Sequence, residues 1–235
     1  MNKYLTWIAA VSLSIAAACA ALAALVSDQP FAAVARGCGT TSGAASETAD
    51  LDWQGSDAVT LHIPARVHYQ PGPVVQATVS GDPEIISHVR MHGGILSWDT
   101  ADWEQTVDCL AEDQLVVRLT GPAVTSWTIH GSGALDLSEL KQQLLLIAVH
   151  GSAAITATGA VQQVSLDAAG STRADLSRLV AQHADAHVHG SAHIDLAPRE
   201  DADISISGSG LVAVHGAGAR IRSHVTGSGQ VTQLP

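Results

Sequence analysis

Aromatic and basic residues are scarce in this sequence. Phe, Trp and Tyr together make up 3% of the 235 residues, and Lys141 is the only lysine after Lys3. The formal net charge of -11, with no basic stripe to offset it, would repel phosphate groups, which argues against nucleic acid and bare anionic membranes as partners. No catalytic signature and no convincing helical periodicity is present. We therefore expect a strand-rich, non-enzymatic protein without a cofactor.

Cysteine is also rare, with three residues in the chain. Cys19 lies in an apolar N-terminal run, which leaves Cys38 and Cys109 for the rest of the chain. In an oxidising compartment these two could form a disulfide that ties the N-terminal segment to the domain, and unpaired thiols are the alternative. Metal binding by two isolated cysteines is the less favoured interpretation.

The N-terminus resembles an export signal. Lys3 is followed by an apolar run over residues 4–26 and by small residues at several candidate cleavage points. Residues 1–35 are therefore predicted to be a signal peptide, with an uncleaved membrane anchor through 4–26 or lipidation at Cys19 as alternatives. Residues 36–50 are small, polar and unpatterned, which predicts a flexible linker. All three interpretations of the N-terminus place the remaining domain, 51–235, in the periplasm, the outer membrane or at the cell surface.

A short repeat dominates the second half of the chain, from about residue 127. Six Gly-Ser steps follow one another at nearly even intervals, each flanked by alternating apolar residues; they begin at Gly131, Gly151, Gly170, Gly190, Gly208 and Gly227. A strand period of about 19 residues predicts a solenoid whose coils stack their apolar sides on one another. The glycines then form bends, and we expect the serine after each one to hydrogen-bond its turn.

Aligning the coils on these glycines separates an inside from an outside, because strand side chains alternate between faces. Three aliphatic columns, at two residues before and at four and six residues after the glycine, predict a narrow interior: Ile129, Val149, Ala168, Val188, Ile206, Val225; Leu135, Ile155, Ala174, Ile194, Val212, Val231; Leu137, Ala157, Leu176, Leu196, Val214. Before the repeats, strands are predicted at 58–63, 74–79, 85–91, 95–98 and 115–119.

The repeats resemble those of a known family, the bacterial head GIN domain of putative auto-transporter adhesins. The resemblance rests on serial bends such as IHGSGALDL (129–137), VHGSAAITA (149–157), VHGSAHIDL (188–196) and ISGSGLVAV (206–214), and on the upstream Gly81-Asp82 and Gly93-Gly94-Ile95-Leu96 segments. It covers roughly residue 57 to the C-terminus. It implies a right-handed parallel β-helix on an exported protein and brings no catalytic residues. This chain departs from the pattern by placing histidine before three of the glycines.

Those histidines are the candidate metal ligands. His130, His150 and His189 occupy one outward column, interrupted by Ala169, and strands about 4.8 Å apart would bring the first two rings nearly into contact. Two such rings could bind a zinc or copper ion together, or could repel each other when both are protonated. The alternative is that the histidines simply belong to a solvated polar face.

Two further features bear on function. Asp175 and Asp195 fall on adjacent coils near Arg173 and His193, and like charges there should raise the proton affinity of one carboxylate. The final coil ends without a capping helix, which favours end-to-end homo-oligomers.

The leading hypothesis is an exported, non-enzymatic cell-envelope domain that binds a protein or glycan surface. The alternatives are a glycan-active lyase or hydrolase that uses the two aspartates, and a metal-binding periplasmic protein.

Overall fold

A computed structural model describes residues 46–100, 114–216 and 218–235. The predicted signal or anchor (1–35), most of the predicted linker, and both Cys38 and Cys109 lie outside the described residues. The Cys38–Cys109 disulfide therefore stays a prediction.

The described residues are almost entirely β-strand, as the all-β prediction requires. The elements are β1 (Glu47–Asp50), β2 (Ala58–Leu61), β3 (Ala65–Pro71), β4 (Gln76–Gly81), α1 (Pro83–Ile86), β5 (Val89–His92), β6 (Ile95–Trp98), β7 (Val116–Gly121), β8 (Ser126–Gly208), β9 (Leu211–His215), β10 (Arg220–Gly227) and β11 (Gln230–Leu234). All eleven strands belong to one sheet, in which β8 is a continuous run of 83 residues.

The strands before β8 form one end of the sheet in the order β1-β4-β7-β3-β8-β2-β6-β5. Strands β2 and β3 pair parallel to β8, whereas β4 pairs antiparallel with both β1 and β7. Tyr69 of β3 packs against Trp127 at the start of β8 with ring centroids 5.3 Å apart, and both side chains are buried. These two large aromatics fill the interior where the repeats begin.

Parallel pairing links the last repeats to those before them. Arg220 of β10 is opposite Asp201, and Gln230 of β11 is opposite Leu211. His193 of β8 is in turn opposite Leu211 of β9. Five of the six bend glycines, from Gly151 onward, each lie against the backbone of the bend glycine before it. A left-handed or close-packed backbone at these bends was predicted, and all six glycines have positive φ.

The predicted interior columns are buried in every coil except the last. The fifteen predicted core residues between Ile129 and Val214 are each buried, with relative exposures of 2% or less. Val225, in the last coil, is 38% exposed because β10 pairs with β8 along one edge and with no strand of the described residues along the other. The core is aliphatic through the repeats, as the low aromatic content predicted.

Three local predictions need correction. The predicted linker 36–50 extends too far, because Glu47–Asp50 forms β1 and pairs antiparallel with β4. The strand predicted at 85–91 begins instead as helix α1, where Asp82 caps the helix by accepting a hydrogen bond from the Glu84 N–H and Pro83 occupies its first turn. Strand β3, which alternates buried Ala65, Val67 and Tyr69 with more exposed residues, was not predicted.

Candidate functional site

The bends of successive coils line a shallow groove that runs across the strands. We call it the serine groove; its rim carries five serines at equivalent positions, Ser132, Ser152, Ser171, Ser191 and Ser209. Its floor is formed by Ala153, Thr172 and Ala192, and its volume is about 520 Å³. Small side chains keep the floor low, so the groove exists because the residue two after each glycine is Gly, Ala or Thr.

The rim hydroxyls are free to bind a ligand. All five serines are exposed. Their side chains form no hydrogen bond with any described residue, so the expectation that each serine would hydrogen-bond its own turn was wrong. The backbone satisfies the bend instead, as where the Ser209 N–H donates to the Gly190 carbonyl oxygen at 2.8 Å. The hydroxyls therefore form a ladder of unused donors and acceptors.

One residue of the groove floor also has a hydroxyl group without a hydrogen-bond partner. Thr172 is 5% exposed, and its Oγ1 atom is buried without a hydrogen-bond partner among the described residues. A buried hydroxyl that is left unpaired costs free energy, and alanine fills the equivalent position in the two adjoining coils. The floor of the groove thus carries a polar atom that the fold itself does not use.

Charge in the groove comes from Arg173 and His193. Arg173 was expected to offset Asp175 and Asp195, but it forms no ion pair with any described residue and lines the groove instead. Asp195 is bound by two histidines, with Nε2 of His215 at 3.0 Å and Nε2 of His193 at 3.5 Å from its carboxylate. The groove therefore presents an unpaired guanidinium beside neutral hydroxyl groups, in a protein of net negative charge.

Asp175 does not have the raised proton affinity that the sequence suggested. Its Oδ1 accepts hydrogen bonds from the Ser177 hydroxyl at 2.6 Å and the Ser177 N–H at 3.1 Å. These bonds lower the pKa of Asp175 below its ordinary value, helped by the nearby charge of Arg178. A general acid must keep its proton near neutral pH, so Asp175 is poorly suited to the acid role that a glycan-cleaving carboxylate pair requires.

The histidine column gathers into a stack of three rings, which we call the histidine stack: His62, His130 and His150. The ring centroids of His62 and His130 lie 4.6 Å apart with 5° between their planes. Those of His130 and His150 lie 5.1 Å apart with 22° between their planes. The contact between His130 and His150 confirms the spacing argument, whereas His62 was missed because it lies outside the repeats.

His189 is not part of this stack. The bend glycines place each coil on the one before, so the coil that carries Ala169 separates His189 from His150. Sequence alternation alone does not identify His62, because its place in the stack depends on the register of β2 on β8, where Leu61 aligns with Ile129 and a histidine follows each of them. Desolvation, followed by the neighbouring charges of His62 and His150, lowers the pKa of His130.

Comparison with known proteins identifies the family. The sequence profile described as "Putative auto-transporter adhesin, head GIN domain" matches residues 55–218. The chain belongs to this family. No curated protein matches the chain in sequence. Since the match spans β2 to β9, the serine groove and the histidine stack both lie within the GIN domain.

One of the solved structures that this chain resembles shares its fold at low sequence identity. A putative adhesin of Bacteroides fragilis NCTC 9343 is 16% identical, with a TM-score of 0.60, and the alignment covers 82% of this chain and 98% of that one. A putative lipid binding protein of Parabacteroides distasonis ATCC 8503 is 15% identical, with 83% and 98% covered and a TM-score of 0.46. A putative adhesin of Parabacteroides merdae ATCC 43184 is 13% identical, with the same coverage and a TM-score of 0.44.

The GIN domain carries a third polar cluster away from the groove and the stack. Nδ1 of His183 lies 3.1 Å from Asp201 Oδ2, and Nε2 of His183 lies 3.9 Å from Glu200. Nη2 of Arg220 lies 3.0 Å from Asp201 Oδ1, close enough for an ion pair although the pair lacks the alignment of a hydrogen bond. Arg220 thus pairs with Asp201, and His183 contacts both carboxylates.

Among the described residues, no helix is both long and apolar enough to span a membrane.

Proposed function

We propose that this chain is an exported, non-enzymatic domain of the cell envelope that acts in surface interaction or adhesion. In this proposal the domain is a right-handed parallel β-helix with coils of about 19 residues, and its serine groove is the contact surface. Family membership supports an adhesin-like role. The proposed coil geometry is supported by the parallel pairing of the last repeats with those before them and by the succession of bend glycines.

The serine groove is the observation that carries the proposal. Five exposed hydroxyls with no intramolecular partner among the described residues lie in one row, above a buried and unpaired Thr172 hydroxyl. Strand spacing sets the repeat of this row at about 4.8 Å. A linear ligand with regularly spaced polar groups could therefore bond to several coils at once, and a polysaccharide with many hydroxyls fits that requirement best. Each bond is weak, so affinity comes from the number of coils engaged.

The shape and side chains of the groove favour a binding function over catalysis. It is open and lacks long flanking loops that would orient a substrate, and Asp195, which contacts the groove residue His193, is held by His193 and His215. General acid-base catalysis needs a proton donor within reach of the scissile bond. A binding surface needs only complementary donors and acceptors, and the groove supplies those.

The test is binding of the full chain to a microarray of bacterial and host polysaccharides, followed by a triple variant on the best ligand. Ser152→Ala, Ser171→Ala and Ser191→Ala together remove three rim hydroxyls and add no bulk. At about 1 kcal/mol for each lost hydrogen bond, we expect the dissociation constant to rise roughly 100-fold.

The matched control is Ser165→Ala, Ser205→Ala and Ser207→Ala, three serines of β8 that do not line the groove. It should bind like the wild type, and both triple variants should show the wild-type circular dichroism spectrum. Equal affinity of wild type and groove variant, or no retention of any polysaccharide on the array, would contradict the proposal.

A further inference from the structure

The histidine stack is a second row of polar side chains, and its members His130 and His150 each stand two residues before a serine of the groove. Three imidazoles in one row at strand spacing are unusual on a surface, because protonated rings at that distance repel one another. The spacing of 4.6 and 5.1 Å equals the spacing of the strands themselves. The backbone therefore holds the rings in line, and no special side-chain conformation is needed to bring them together.

The ring nitrogens are available to a ligand. Within the part of the chain that the structure describes, none of the three rings forms a hydrogen bond or an ion pair with a side chain or carbonyl group. His183, His193 and His215, by contrast, each lie within 4 Å of a carboxylate. His130 is half-buried and stacks against both neighbours, so its ring belongs to each adjacent pair, and metal binds the neutral form of imidazole.

We propose that the histidine stack binds one divalent transition-metal ion of the imidazole-preferring class, Zn²⁺ or Cu²⁺, through His130 and one of its two neighbours. Two nitrogens at about 2.1 Å from a tetrahedral ion lie about 3.4 Å apart, so adjacent rings must rotate out of their parallel stacking until one nitrogen of each points at the ion. His62 and His150 are exposed and have room for this rotation. Water completes the coordination shell, since carboxylate groups are absent from the contacts of the stack within the described residues.

The order of the three rings determines how many ions the stack can bind and which histidines can bind an ion together. His62 and His150 lie on opposite faces of His130, so these two outer rings are too far apart to share an ion with each other. His130 belongs to both pairs that can form. One ion per chain is therefore expected, with two nearly equivalent ways of holding it.

This arrangement predicts a distinctive pattern of variants in calorimetric titrations of the full chain with ZnCl₂ at pH 7.5. His130→Gln removes both pairs and should weaken binding tenfold or more, since even second-shell changes at metal sites cost about 10–100-fold. His62→Gln or His150→Gln alone leaves one pair and should weaken binding only about twofold, by the loss of one of two equivalent modes. The double variant His62→Gln/His150→Gln should match His130→Gln.

Two controls separate this site from other histidines. His189→Gln changes an exposed histidine of the same column outside the stack and should leave binding unchanged. His183→Gln disrupts the cluster with Glu200 and Asp201 and should also leave it unchanged. Circular dichroism verifies that each variant is folded, and Gln keeps a polar side chain at each exposed site.

Four outcomes would overturn the proposal: no heat of binding in the wild type, full affinity in His130→Gln, loss in His189→Gln equal to that in His130→Gln, or loss confined to His183→Gln. Nitrogen hyperfine structure from Cu²⁺ provides a second readout. It should report two imidazole nitrogens in the wild type and at most one in His130→Gln.

Discussion

The contact between successive bend glycines can be tested by adding a single methyl group. In Gly170 the backbone has φ +127°, and a Cβ atom would lie 3.0 Å from the carbonyl carbon of Gly151, 3.2 Å from its Cα and closer still to its carbonyl oxygen. Gly170→Ala therefore combines two costs. The positive φ costs about 1–2 kcal/mol, and forcing two coils apart at a packed contact costs about 1–3 kcal/mol.

Two other glycines separate these costs. Gly131 has φ +85°, but a Cβ atom there would meet no atom within 4 Å, so Gly131→Ala should lose only the 1–2 kcal/mol or so of backbone strain. At Gly218 an added Cβ is also unobstructed and φ lies outside the strained region, so Gly218→Ala should change stability by less than about 1 kcal/mol. The expected order of destabilisation is Gly170→Ala, then Gly131→Ala, then Gly218→Ala.

Urea denaturation followed by circular dichroism measures the three changes against the wild type. A loss of about 2–5 kcal/mol in Gly170→Ala is a large part of the 5–15 kcal/mol typical of a folded domain. The unfolding midpoint should fall accordingly, while Gly218→Ala stays near the wild type. If Gly170→Ala and Gly131→Ala lose the same free energy of unfolding, the coil-on-coil contact does not limit the bend and the reasoning fails.

Two further predictions concern Asp175 and the exposed last coil. The pKa of Asp175 is lowered in the folded state, so its stabilising effect is complete above its ordinary pKa of 3.8 and is lost as pH falls through the lower folded value. Asp175→Asn should therefore reduce stability by about 1 kcal/mol at pH 7 and by progressively less as the pH falls below 3.8, measured by urea denaturation over that range. Val225 is 38% exposed on β10, so the wild type should associate end to end with rising concentration in light scattering, whereas Val225→Lys should stay monomeric; a monomeric wild type would contradict this.

The repeats could be predicted from the sequence because one periodic signal determines both fold and burial. Glycines at nearly even intervals set the length of each coil, and strand alternation then assigns every side chain to the inside or the outside. That is why the aliphatic columns were predicted correctly from Ile129 to Val214. The alternation weakens before residue 126, where pairing is partly antiparallel and partners are distant in sequence. Strand β1 was missed there for that reason, whereas β3 does alternate buried Ala65, Val67 and Tyr69 with more exposed residues and could have been predicted.

The candidate sites were less predictable, because side-chain partners depend on which surfaces meet. The coil spacing alone predicted that like charges raise the proton affinity of one aspartate, but Ser177, two residues after Asp175, supplies the two hydrogen bonds that lower the pKa of Asp175. The stack between His130 and His150 followed from the spacing. Its third member, His62, required the register of β2 on β8, which no sequence period reveals. The sequence likewise does not show that the rim serine hydroxyls lack hydrogen-bond partners, because that depends on where their side chains lie in the folded chain.

Both candidate sites follow from the same property of stacked coils. Any polar residue that recurs once per coil becomes a row at strand spacing, without any demand on the aliphatic interior. Serine at the bend gives a row of hydroxyls, and histidine before the bend gives a row of imidazoles that ends where Ala169 replaces it. The interior must stay aliphatic in every coil, whereas each outward row can change one residue at a time. A fold of this kind can therefore gain or lose a binding row while its stability, set by the core and the glycine bends, stays nearly constant.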